Sequence, residues 1–91
     1  MLQYTFDEKM ISIQERASQQ DTTYVIEVKS EEMRARLKQV RQFFDENRDY
    51  TDVMFYSHED GTYEAIVRED MKNVFLIHAF RFQCLTSLRW A

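Results

Sequence analysis

A single glycine, Gly61, and no proline punctuate a chain of 91 residues. Glycine supplies the positive φ of tight hairpins and helix ends, and proline halts helices. This chain must therefore turn with few of the residues that usually mark a turn. Gly61 locates one hairpin, because the β-rich runs "YTDVMFYS" and "TYEAIVR" are joined by "HEDG". The same scarcity removes function classes, since phosphate loops and dinucleotide fingerprints need several glycines. With no linker, repeat or low-complexity stretch, residues 1–91 read as a single α+β domain.

The clearest element is a helix over roughly 30–47, "SEEMRARLKQVRQFFDEN", with Met33, Leu37, Val40 and Phe44 at helical spacing. Ser30 is the expected N-cap, and Glu31 and Glu32 complement the positive end of the helix dipole. Upstream, "LQYTF" and "MISIQ" flank "DEK" and predict a hairpin, and "TTYVIEV" (22–28) predicts a third strand. Downstream, Glu69 and Asp70 resemble a helix start, and the run that follows predicts a helix over about 69–86.

These elements give the order β-β-β-α-β-β-α, a two-layer α+β fold with an antiparallel sheet and two helices. Residues from about Phe80 also alternate as a strand would. If the tail ends in a strand, residues 22–90 take the order β-α-β-β-α-β, a ferredoxin-like variant.

The tail "FLIHAFRFQCLTSLRW" (75–90) has ten apolar residues, no carboxylate and two arginines, Arg81 and Arg89. Its uncharged run from Asn73 to Phe80 is far short of the roughly 20 residues that span a bilayer. A helix here is apolar nearly all round and so must be buried on more than one side. The lone Cys84 excludes an internal disulfide, and "MLQYTFDEKM" lacks the basic and apolar regions of a signal peptide. The expected compartment is the cytoplasm.

Catalytic constellations fail on geometry. "HEDGT" (58–62) resembles the zinc motif H-E-x-x-H but has Thr62 where the second histidine belongs, and it contains a turn. Cys84 and His78 lie too far apart on a helix or a strand to form a thiol–imidazole pair. Ser57 and His58 are strand neighbours that point to opposite faces. The acid pairs Glu31–Glu32 and Glu69–Asp70 stand at expected helix starts, where the dipole accounts for them. The expectation is a protein without catalytic residues, metal or cofactor.

Charge is unevenly distributed, with residues 29–41 net basic and 42–80 net acidic in a chain of net charge −4. Arg34, Lys38 and Arg41 form one stripe beside the apolar face of the first helix. With Tyr50, Phe55, Tyr56 and Tyr63 on the following hairpin they offer a phosphate-and-stacking surface. Asp52, Glu59, Asp60 and Glu64 flank those aromatics and oppose a phosphate backbone.

The leading expectation is a small, acidic, non-catalytic protein-interaction module. It self-associates as a homodimer through Phe75, Ile77, Phe80, Leu88 and Trp90, or docks another protein there. A two-fold interface covers the surplus apolar face that so short a chain cannot enclose. The alternative is a nucleic-acid-binding domain using Arg34, Lys38, Arg41, Tyr56 and Tyr63. No membrane partner is expected.

Overall fold

The computed structural model describes residues 1–91 as two antiparallel sheets and three helices. The chain runs β1 (Leu2–Thr5), β2 (Ile11–Ala17), β3 (Asp21–Val28), α1 (Glu31–Glu46), α2 (Arg48–Thr51), β4 (Met54–Ser57) and β5 (Thr62–Arg68). A 3-10 turn (Glu69–Met71) then leads into α3 (Lys72–Arg81) and β6 (Ser87–Trp90).

The main sheet has the order β2-β3-β5-β4, with every neighbouring pair antiparallel. On β3, Thr22, Tyr24, Ile26 and Val28 alternate with more exposed residues and face the helices, as a half-buried strand requires. Ser30 caps α1 by accepting the Met33 N–H at 3.1 Å, and Met33, Leu37, Val40 and Phe44 form its buried face. Gly61 takes φ 88° in the β4–β5 hairpin, where an L-residue is strained. The two-layer arrangement, the α1 helix and this hairpin are as the sequence predicts.

The N-terminal hairpin is not. β1 pairs with β6, Tyr4 opposite Leu88 and Thr5 opposite Ser87, while β2 pairs with β3. The leading order β-β-β-α-β-β-α is corrected by the short α2 and the terminal β6. The alternative β-α-β-β-α-β occurs along residues 22–90 as β3-α1-β4-β5-α3-β6, with α2 inserted before β4. However, β6 never enters the main sheet, and β2 occupies the place beside β3.

The C-terminal helix is also shorter than expected, ending at Arg81 rather than near 86. Phe82 caps it and Gln83 takes a left-handed φ of 65°. The N–H of Gln83 then donates to the Phe80 carbonyl and that of Cys84 to the Ala79 carbonyl, both at 2.9 Å. This is a Schellman closure made without glycine. The strand expected from Tyr50 likewise begins later, because Arg48–Thr51 form α2 and Asp52 reverses the chain at φ 53°.

The β1–β6 ribbon supplies the second cover that the apolar α3 demands. α3 packs against both ribbon strands as well as α1 and β5. Leu76 is only 5% exposed. It lines one apolar cavity with Tyr4, Tyr24, Ile26 and Leu85. The adjacent Phe75 lines the same cavity and enters an aromatic cluster, stacked on Tyr24 at 4.7 Å and near Phe44 at 5.7 Å and Phe55 at 6.1 Å. Such ring pairs contribute about 0.5–1.5 kcal/mol each beyond simple burial.

Candidate functional site

The five residues expected at an interface divide between core and surface. Phe75 is 3% exposed, lies at the centre of the aromatic cluster and is unavailable for contact. That expectation is corrected by the sheet, which claims the face of α3 carrying Phe75. Ile77 (46%), Phe80 (43%) and Trp90 (69%) remain exposed, and Leu88 is partly buried against the core. Ile77 and Phe80 are three residues apart and share the outer face of α3. Asn73 and Arg81, both exposed, bound that face at its two ends. Trp90 stands at the end of β6, opposite Leu2, on a strand that lies against α3. These three side chains are large and apolar, and no element of the chain covers them.

The basic stripe is tied into the domain. Arg34 donates to the Tyr63 hydroxyl at 3.1 Å and meets Glu31 at 3.5 Å, which favours its charged form. Tyr63 is only 7% exposed, so it offers no ring for base stacking. Arg41 donates to Ser57 at 2.9 Å and lies 3.6 Å from Asp45. Lys38 is exposed, and Tyr56 is the one exposed ring of the expected pair. Phe55 is buried, and Tyr50 is exposed on the separate helix α2. The sheet thus does not gather Arg34, Lys38, Arg41, Tyr56 and Tyr63 into one open surface.

The remaining chemical groups are structural or isolated. His58 Nε2 pairs with Glu64 Oε2 at 3.0 Å on the hairpin, and no group of three metal-ligating side chains forms. Cys84 is 2% exposed, and burial pushes its thiol up to about 11 despite the opposing charge of Arg36. His78 stacks on Phe43 at 3.9 Å, and neither Gln83 nor a carbonyl partners its buried Nδ1. Burial, and secondarily Arg81, holds the imidazole below its ordinary pKa.

Two residues outside every sequence expectation share a cleft. Glu15 stands directly opposite Tyr24 across β2 and β3, on the helix side of the sheet. The signal was present: Ile11, Ile13 and Glu15 occupy the same parity in "ISIQERA", so a carboxylate falls in apolar register. No helix of the chain is long and apolar enough to cross a membrane. Comparison with protein-family models, with curated proteins and with solved structures found no match.

Proposed function

We propose that the protein is a protein-interaction module that self-associates through the outer face of α3 and the end of β6. The carrying observation is the exposure of Ile77, Phe80 and Trp90 in a chain whose core closes without them. The accessible surface of 5914 Å² is near the roughly 5,700 Å² expected of a compact monomer of 11.1 kDa. Dimerisation is therefore an association of folded monomers, and breaking it leaves the fold intact.

A second copy is the occupant that a self-complementary helix face fits. The acids before α3 are already engaged, Asp70 by Arg68 at 3.1 Å and Glu69 by Thr22 and Lys72, so the contact rests on apolar surface. A two-fold axis across α3 sets two helices antiparallel. Ile77 and Phe80 then meet near the axis with a polar rim around them, the anatomy of a specific interface.

Sedimentation across a micromolar concentration series tests the reading. The wild type is expected to dimerise, and Phe80→Asp to remain a folded monomer, because an unpaired charge in a dry contact opposes association. A wild-type monomer at high micromolar concentration would refute it.

A further inference from the structure

A cleft of about 280 Å³ opens between the ribbon, β2 and the start of α3. Its walls combine apolar surface, from Leu2, Leu76 and the Tyr4 ring, with the carboxylates of Glu15 and Glu69. Lys72 and Asn73 stand at its helix side. The phenol of Tyr24 also lines this cleft. Tyr24 is 0% exposed, yet its hydroxyl has no hydrogen-bond partner. A buried hydroxyl left unpaired costs about 1–3 kcal/mol, and since this oxygen is closed to solvent, a donor in the cleft reaches it through a small shift of the wall.

The bonds already made define what remains. The Tyr4 hydroxyl donates to Glu15 Oε2 at 2.6 Å, leaving Oε1 of that carboxylate without a side-chain partner. Glu69 Oε1 accepts from Thr22 at 2.9 Å, and Glu69 Oε2 lies 4.0 Å from the Lys72 ammonium. Burial, followed by Glu15 and Glu69, pushes the Tyr24 phenol upward, so it stays neutral and can accept a bond. One carboxylate is thus largely free, a second is only partly compensated, and an uncharged oxygen lies between apolar walls.

We propose that this cleft binds a primary ammonium group carrying a short aliphatic chain. The ammonium has three N–H donors and no acceptor, matching Glu15, Glu69 and the Tyr24 oxygen. The aliphatic part lies against Leu2 and Leu76. An anion is repelled by the two carboxylates, and Lys72 is engaged by Glu69. Two carboxylates with no third acid or histidine do not make a metal cage. The volume of about 280 Å³ falls just below the roughly 300–1,000 Å³ range of ligand sites, which selects a small or slender group. The ammonium belongs either to a free alkylamine or to a lysine side chain, which presents the same four-carbon ammonium. The site is independent of the dimer reading, since it does not use Ile77, Phe80 or Trp90.

The test is titration of the full chain with n-butylammonium, followed through the methyl resonances of Leu2 and Leu76. Saturable shifts are expected below about 50 mM. The isosteric neutral 1-butanol should bind at least about tenfold more weakly, as should butylammonium to Glu15→Gln, the size of a lost charge-assisted bond. Tyr24→Phe should weaken binding several-fold while leaving the free protein folded, because it deletes a hydroxyl that has no partner. Nα-acetyl-lysine methylamide separates the sources: binding as tight as butylammonium assigns the site to lysine side chains, and weaker binding assigns it to free amines. Absence of saturable shifts, or equal affinity in the wild type, Glu15→Gln and Tyr24→Phe, overturns the proposal.

Discussion

The backbone N–H of Cys84 reaches the carbonyl of Ala79 across 2.9 Å, and this bond ends α3. Both residues are buried, so the closure has the apolar contact that accompanies a Schellman motif. Between helix and Cys84, Gln83 is held at φ 65°, with its carbonyl accepting from Arg36 at 3.1 Å. A left-handed L-residue is disfavoured by roughly 1–2 kcal/mol, which glycine avoids. Gln83→Gly is therefore expected to stabilise the protein by about 0.5–1 kcal/mol, read as a raised urea midpoint. A lowered midpoint would show that the Gln83 side chain contributes more than the backbone strain costs.

Two neighbouring aromatics of α3 should respond in opposite ways. Phe75→Ala removes the ring shared by Tyr24, Phe44 and Phe55, and is expected to destabilise by about 3–5 kcal/mol. In a domain of marginal stability that is a large share of the total. Phe80→Asp changes a half-exposed position and should leave the chemical-denaturation midpoint of the monomer almost unchanged. Equal loss from both substitutions would place Phe80 in the core.

His78 predicts a pH dependence of defined sign. Its pKa in the folded protein is lowered by burial against Phe43 and secondarily by Arg81, whereas in the unfolded chain it returns to about 6.5. Below that value the unfolded state binds the proton more readily, so stability falls as pH drops toward the folded pKa, and it is fully present above about 6.5. The imidazole is only partly buried, so the effect should be small. Denaturation midpoints measured from pH 7.5 to 5 should decline, and His78→Phe should remove that part of the slope. An identical slope in the variant would assign it to other groups.

Cys84 should behave as a packing residue. A thiol pushed up to about 11 is protonated at neutral pH, and at 2% exposure it is shielded from reagents. Labelling by a disulfide reagent at pH 8 is expected to be slow in buffer and fast in denaturant. Rapid labelling of the folded protein would show that the loop after α3 opens locally.

Replacing Arg34, Lys38 and Arg41 together with Gln is expected to leave sedimentation unchanged and to lower the thermal midpoint modestly. The loss comes from the bonds to Tyr63 and Ser57. Nucleic acid that copurifies with the wild type and not with this variant would revive the phosphate-binding reading.

Several features were fixed by short stretches of sequence acting alone. Ser30, the two glutamates after it and the spacing of Met33, Leu37, Val40 and Phe44 define α1, because capping and side-chain periodicity act within a few residues. Gly61 marks its hairpin for the same local reason, a φ that other residues resist. The breadth of apolar character in the tail also announced that α3 needs two covers. Which element supplies the second cover was not legible. Thr5 and Ser87 meet at 2.6 Å although they are 82 positions apart, and "LQYT" carries nothing that prefers "SLRW" to the adjacent "ISIQERA". Any alternating strand can pair with another, so the choice falls to what lies beneath: the ribbon buries Leu2, Tyr4 and Leu88 against the core. The end of α3 was hidden likewise, because Gln83 has no intrinsic preference for its left-handed turn. Burial of Cys84 and Leu85, together with the Arg36 bond, holds it there. Tertiary structure also decided that Phe75 is core while Phe80 is surface, since the sequence gives both the same apolar chemistry and only the sheet and ribbon distinguish their faces.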